Sequence, residues 1–425
     1  MKSSHQIFSP QASTASINYR SLVQRDRIHG SLYTNETIFH EEMEKIFYKG
    51  WVFVGHESEV PNPGDFITRT VGLEPLIMVR NREGEIRLFS NRCMHRGNKL
   101  CSRENGNKRV FTCEYHGWSF SLDGDLKAVP YAGGFDKDLS QFPLNQPAHM
   151  ESCHGFVFAT FNPDACSLDE HLGKAKHLIE RVARMSPTGK VKLNAGWVKQ
   201  QYFANWKMLP ENDTDGYHAG HVHLSFLQVF RSQYDAIKGR EQERLSQIVD
   251  WGNGHGAIDA APMYTKPLEW LGTSEEKVAD YVDLMRQSYG TDEAQKILID
   301  GPPHAVIFPN LFLGEMNIAI FQPTATGECV QWHTPLLLDG VPEKFNERII
   351  RQSEAAMGPS AFLLADDQVI SERQQLALQG HSGWLDLSRG LNREVKKDGV
   401  ITSHISDETT NRGFWNHYLK VMEAA

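Results

Sequence analysis

No stretch of the 425-residue chain holds the run of roughly 18 apolar residues that a membrane-crossing helix needs. The N-terminus lacks the basic segment and apolar stretch that direct secretion, so a cytoplasmic soluble protein is expected. Basic blocks are also missing: 44 Lys and Arg are scattered among 53 Asp and Glu, for a formal charge of -9. Binding to nucleic acid or to anionic lipid draws on clustered positive charge, so neither partner is expected. Cysteine is scarce, with six in the chain, and without a secretion signal these do not read as a disulfide framework. Repeats are absent, and low complexity is confined to the opening MKSSHQIFSPQASTAS, which reads as a loose polar arm.

What remains has the composition of a globular enzyme, 40% apolar and 23% charged, and is long enough for two or three domains. Asn35 can cap a helix on which Phe39, Met43 and Phe47 share a face, with Gly50 as its C-terminal stop. Short apolar runs (WVFVG, PLIMVR, RVFTC, GFVFATF) separated by Gly-containing turns make residues 51–165 β-rich. Beyond them the pattern is mixed. Thr273 and Glu276 suggest a capping pair for a helix stopping near Gly290, AVIFPNLFLG and NIAIFQP read as neighbouring strands, and residues 341–357 read as a helix entered through Pro342. The chain is therefore expected to be α+β: an arm and helix over 1–50 that pack on the last part, a β domain over 51–165, and an α+β domain over 166–425. Gly252-Asn253-Gly254-His255-Gly256 neither follows a clear strand nor opens a clear helix, so it reads as a loop and not as a nucleotide site.

Two matched segments in the β domain carry metal-ligand chemistry. Cys93-Met94-His95-Arg96-Gly97 is followed, with seventeen residues between His95 and Cys113, by Cys113-Glu114-Tyr115-His116-Gly117-Trp118. Zinc modules usually pair Cys with Cys in one knuckle, whereas here each loop offers one thiolate and one imidazole. Two such loops can place both thiolates on one iron of a [2Fe-2S] cluster and both imidazoles on the other, and the glycines let the backbone turn tightly around bridging sulfides. Imidazole ligation raises the reduction potential, which suits a relay fed by a flavin or ferredoxin donor. Cys101, Cys153, Cys166 and Cys329 read as packed core thiols.

A second centre is indicated by residues 205–223, where three histidines and three carboxylates fall within nineteen residues. On a regular helix His218 and His223 point about 140° apart, so both can face one metal only if the helix loosens, and Gly220 supplies a break. Asp215 lies three residues before His218, on nearly the same face. Paired acids Asp366 and Asp367, after an apolar run from Ala361, are candidates for a third ligand. His218, His223 and Asp367 together would make the two-histidine, one-carboxylate face that leaves positions open on Fe(II). His221 is a rival to His223, and Asp366 to Asp367.

The CxHRG and CxYHGW loops, together with E-N-x-x-D-G-Y-H-x-G-x-x-H over Glu211–His223, resemble the Rieske non-haem iron oxygenases that hydroxylate aromatic rings, in particular the large (alpha) subunits of the benzoate and cumate dioxygenase group. The resemblance implies a Rieske domain of antiparallel strands and a catalytic domain whose large antiparallel sheet is flanked by helices. It implies a cluster on Cys93, His95, Cys113 and His116, with mononuclear iron on His218, His223 and Asp367. Asp215 would act as the electron bridge, hydrogen-bonded to His116 of a neighbouring subunit. Family spacing favours His223 over His221, and family alignment Asp367 over Asp366. Met357 and residues around Val222 and Leu227 would line the substrate pocket. The implied activity is dioxygenation of an aromatic substrate to a cis-dihydrodiol with electrons from NAD(P)H through a separate reductase; monooxygenation is the alternative, and a pure electron-transfer protein or a zinc-stabilised binding module are more distant ones. Assembly as a homotrimer, with or without small beta subunits (alpha3beta3), is also implied.

Overall fold

The computed structural model describes residues 17–229, 246–358, 361, 363–381 and 383–424; the polar arm of residues 1–16 lies outside them. Helix α1 (Glu36–Glu42) begins where Asn35 Oδ1 accepts the backbone N–H groups of Thr37 and Ile38, and it widens into a π-helical turn over Met43–Tyr48. Phe39, Met43 and Phe47 are buried in one core with Trp206, Phe414 and Tyr418, so this early helix packs on the late part of the chain. Gly50 is not a left-handed cap. It closes the turn by donating to the Ile46 carbonyl, and a Cβ there would stand 2.4 Å from that oxygen.

Antiparallel strands follow. A four-stranded sheet runs in the order Ile86–Ser90, Glu74–Arg80, Asp65–Val71, Asn105–Asn107, beside a three-stranded sheet of His149–Cys153, Phe156–Thr160 and Val52–His56. PLIMVR reads as a continuous apolar run because both faces of its strand are covered. Ile77 and Val79 join Phe66, Phe89 and Trp118 in a small core that also holds Cys93 and Cys113, while Leu76 and Met78 join the core shared with α1. A small sheet of Phe111–Thr112, Ser119–Phe120 and Leu126–Ala128 carries the second Cys–His loop.

The later residues build a nine-stranded antiparallel sheet in the order Val198–Tyr202, Glu328–Pro335, Asn317–Ala325, Leu311–Gly314, His304–Ile307, His255–Asp259, Gln247–Gly252, Val400–His404, Val395–Lys397. Helices α2 (Met208–Asp213), α3 (Ala219–Val222), α4 (Ala279–Tyr289), α5 (Glu343–Met357), α6 (Leu364–Leu378) and α7 (Thr409–Glu423) belong to this part. The fold is α+β, with a large antiparallel sheet flanked by helices. AVIFPNLFLG makes two strands and not one, because Pro309 lacks the N–H a ladder needs. Residues 252–254 are the tip of a hairpin in which Gly252, Asn253 and Gly254 all have positive φ, and His255 and Gly256 already belong to a strand.

Two further expectations are corrected. The Thr273–Glu276 capping pair does not form: the Thr273 N–H bonds back to Leu268, its hydroxyl finds no partner, and α4 starts only at Ala279 after a 3-10 turn. Cys166 is exposed, unlike the buried Cys101, Cys153 and Cys329, because it sits in the loop after Asn162-Pro163-Asp164; its carbonyl, not its thiol, faces inward and accepts from Trp51 Nε1 at 2.7 Å.

Candidate metal centres

The two Cys–His loops have the same local geometry. In one, Gly97 N–H donates to Cys93 O and Cys93 N–H to Asn98 O; in the other, Gly117 N–H donates to Cys113 O and Cys113 N–H to Trp118 O. Each closing glycine has positive φ, 72° at Gly97 and 74° at Gly117, a conformation that side chains disfavour. Backbone N–H groups of His95 and Arg96 point at the Cys93 sulfur, and those of Tyr115 and His116 at the Cys113 sulfur. Asn98 Nδ2 lies 3.8 Å from Cys113 Sγ. Burial raises both thiols, but at Cys113 these donors outweigh it and hold the thiol below its ordinary value, as a site for thiolate requires.

The His95 and His116 rings lie 4.5 Å apart, with Trp118 stacked on His95 at 4.9 Å and the Tyr115 ring tilted against His116 at 3.8 Å. His95 Nδ1 is buried with no hydrogen-bond partner. Among the described residues only His218, His223 and Asp367 bring three metal-ligating atoms within 4.8 Å of one another. Cys93, His95, Cys113 and His116 therefore do not converge on a single point, which one tetrahedral zinc would require. A thiol pair and an imidazole pair side by side fit a two-iron cluster. The ring contacts of Trp118 and Tyr115 with the two imidazoles were missed, although both residues stand in the motif that points to the cluster.

The second centre forms where three elements meet. Helix α6 is fixed to the edge strand Val198–Tyr202 by a polar face: Gln368 Nε2 donates to Gln201 O at 2.9 Å, Glu372 accepts from Phe203 N–H, and Gln375 accepts from Asn205 N–H. That docking brings the first turn of α6, with Asp366 and Asp367, against α3. Acids in a first helical turn also interact favourably with the helix dipole. Helix α2 is anchored at its start by the fully buried Lys207–Glu42 pair at 2.6 Å, and just beyond its end Thr214 O accepts from Thr410 Oγ1.

His218 Nε2 and His223 Nε2 face each other at 3.2 Å, and Asp367 Oδ1 lies 3.6 and 3.3 Å from them. Adjacent ligands at bond lengths near ~2.1 Å on an octahedral ion stand ~3 Å apart, so the three atoms match one face of such an ion. Asp367 Oδ1 is buried with no hydrogen-bond partner, and two ring nitrogens this close need a proton or a cation between them. The residues fit a divalent metal. Asp366 turns away, its Oδ2 3.9 Å from His223 Nδ1 and accepting from Ser225 Oγ, and His221 is exposed.

Gly220 is not the break. It lies inside α3, where a Cβ would meet nothing within 4 Å. His218 and His223 flank that single helical turn, and the chain leaves helical geometry at His223 itself, with φ −95° and ψ 32°. Asp215 Oδ2 lies 3.4 Å from His218 Nδ1, a charge contact too poorly directed for a good hydrogen bond. Burial lowers the His218 imidazole, but Asp215, Asp367 and Asp213 together raise it above its ordinary value. Asp213 was not singled out from the sequence. Burial, then Asp367, pushes its carboxyl up to about 7. Met357 is buried and Val222 half-buried, while the side chain of Leu227 lies outside the described ones.

Residues 50–143 match the Rieske [2Fe-2S] domain, and residues 183–424 match the family described as Ring hydroxylating alpha subunit (catalytic domain). The chain belongs to this ring-hydroxylating alpha-subunit family. Similar proteins include the large oxygenase component of the naphthalene 1,2-dioxygenase system of Pseudomonas aeruginosa, 29% identical over 95% of this chain and 92% of that one. The 2-halobenzoate 1,2-dioxygenase large subunit of Burkholderia cepacia is 30% identical over 87% of this chain and 82% of its own. A solved structure of naphthalene 1,2-dioxygenase with indole in its active site superposes with a TM-score of 0.84 at 25% identity, covering 96% of this chain and 95% of that one. This alpha subunit is an oxidoreductase of the Rieske non-haem iron class, whose cofactors are a Rieske [2Fe-2S] cluster and a mononuclear iron. Among its described residues no helix is long and apolar enough to cross a membrane.

Proposed function

We propose that this alpha subunit is a terminal oxygenase that adds both atoms of dioxygen to an aromatic ring, giving a cis-dihydrodiol, with electrons from NAD(P)H passed through a separate ferredoxin or flavin reductase. The observation that carries the reading is the approach of His218 Nε2, His223 Nε2 and Asp367 Oδ1 to one another in a chain that also has two Cys–His loops. In this reading those three residues hold Fe(II), Cys93 and Cys113 hold one iron of the cluster, and His95 and His116 hold the other. The mononuclear iron supplies, when bound, the one-electron chemistry that dioxygen needs. The chain supplies the rest: two imidazoles and one carboxylate would hold the metal, and Asp215 would bridge His218 to His116 of a neighbouring subunit.

The proposal extends to organisation and partners. The chain divides into an arm and helix over 1–50, the cluster domain over 51–165 and the catalytic domain over 166–425, a division supported by the spans of the two family matches. The bridge between subunits requires an oligomer, for which a trimer of alpha subunits, with or without beta subunits, is the arrangement taken here. The benzoate-like substrate grouping is supported by the 2-halobenzoate relative; a panel of benzoates, cumate and naphthalene decides it. Visible and EPR spectra of anaerobically purified protein should show a Rieske cluster, with about three irons and two acid-labile sulfides per chain. Turnover under labelled dioxygen should leave two labels in the product; a single label would overturn dioxygenation in favour of monooxygenation.

A further inference from the structure

The turn carrying Asp215 is held from the far end of the chain. Asp215 Oδ1 accepts the Tyr217 backbone N–H at 2.6 Å, which leaves Oδ2 facing His218 Nδ1 at 3.4 Å. The guanidinium carbon of Arg389 stands 3.9 Å over the Tyr217 ring. Arg389 is itself fixed, with Nε donating to Ser406 O at 2.5 Å, Nη2 to Ser406 Oγ at 3.1 Å, and its backbone N–H to Glu408 Oε2 at 3.3 Å. The same 404–408 turn passes under Gly216: a Cβ there would lie 2.4 Å from Ile405 O and 2.8 Å from Ile405 Cγ1. Gly216 is absent from the positive-φ positions, so space and not backbone conformation demands glycine. Two separate contacts thus tie Asp215-Gly216-Tyr217 to one shelf.

We infer that the 404–408 turn and Arg389 are a positioning device for electron transfer: Arg389 holds Tyr217, Tyr217 holds Asp215, and Gly216 admits the shelf that sets their height. The inference rests on the reading of Asp215 as the electron bridge. Asp215 is partly exposed, with a side chain 22% accessible, so packing does not lock its rotamer from every side and the hold of this turn helps to set it. Transfer through a bridge falls steeply with distance, so a carboxylate free to swing would slow it while leaving both metal sites intact.

The test compares Arg389→Ala, Tyr217→Leu, their combination and Arg389→Lys in the holoenzyme. Two quantities are read: hydrogen exchange at the Tyr217 amide in the resting protein, and the rate at which the dithionite-reduced cluster is reoxidised on mixing with oxygen and the aromatic compound, benzoate or naphthalene, that the wild type turns over faster. Each single variant should speed the exchange and slow reoxidation by about tenfold, with the double variant no worse than either single one, because both remove the same stack. Arg389→Lys should recover part of the rate. Iron content, cluster spectrum and melting temperature should be unchanged. Asp215→Asn separates the two readings. If it blocks reoxidation while the Arg389 and Tyr217 variants do not slow it, the bridge stands and the positioning role is overturned; if it has no effect, the bridge reading fails and this inference with it. Loss of iron or a lower melting temperature in step with the slower rate would mean a purely structural role and would also overturn it.

Discussion

At the scale of single residues, the mononuclear site separates pairs of candidates that look equivalent in the sequence. Asp366 and Asp367 are neighbours, yet on a helix successive side chains point about 100° apart, so only one can face the two Nε2 atoms. The other lies behind His223, at 3.9 Å from its Nδ1, where it can orient the ring. His223→Ala and Asp367→Ala should therefore yield protein with its cluster absorbance intact and its mononuclear iron gone, as read by metal analysis beside the visible spectrum. Asp366→Ala should keep that iron, bound about tenfold more weakly. His221→Ala should keep it without loss, since that ring is exposed and takes no part in the three-atom group. Iron lost from the His221 variant and retained in the His223 variant would reverse the assignment.

At the scale of elements, two glycines four residues apart have opposite meanings. Gly220 has open space where its Cβ would be and sits in a helical turn, so Gly220→Ala should leave iron content unchanged and raise stability by about 0.5–1 kcal/mol in thermal or urea melts. Gly216 meets Ile405, and alanine there has to displace the shelf. The sequence showed neither difference, because the contact that distinguishes them comes from a turn nearly at the other end of the chain. What it showed well was local: the Phe39, Met43, Phe47 face, the strands carrying WVFVG, PLIMVR and GFVFATF, and the two Cys–His loops, each written as a short period or spacing. Docking was invisible. Gln368, Glu372 and Gln375 drew no reading from the sequence, although they tie α6 to the strand beside the site. Lys207 and Glu42 stand far apart in the chain with nothing local to pair them, yet both are 0% exposed, and Glu42 also accepts from Tyr418 OH and Trp206 Nε1. Removing one partner of a buried pair strands the other, so Lys207→Ala should cost about 3–5 kcal/mol of unfolding free energy, measured by urea titration. The double replacement Glu42→Gln, Lys207→Met should recover much of that loss.

At the scale of the whole molecule, the cluster domain and the large sheet are joined by Arg69, whose guanidinium lies 4.9 Å from both the Trp197 and Trp332 rings while it pairs with Glu59. Where the hairpin at 252–254, the Phe308 turn and α7 meet lie three histidines, His255 buried and His171 and His417 half-buried. His255 accepts the Phe308 N–H on Nδ1, so its Nε2 carries the proton donated to His171 O, and His417 packs edge-on to Phe308 at 4.8 Å. Burial first, then the charges of His255 and Lys420, lowers His417 to about 3, and burial holds His255 at about 4. A histidine depressed in the fold stays neutral there while the unfolded chain takes up a proton below about pH 6.5, so its stability is intact above that pH and is lost as pH falls toward the folded value. Glu211 and Asp213, raised to about 7 mainly by burial, act in the opposite sense, since their contribution grows as pH falls from 7. The two effects can be separated by a variant that changes only the histidine. In His417→Phe the difference in unfolding free energy between pH 8 and pH 5 should shrink by about 2 kcal/mol relative to the wild type, because the carboxyl contribution is common to both proteins and cancels. Urea melts at the two pH values measure it, and an equal difference in both proteins would mean that His417 is not held neutral by the fold.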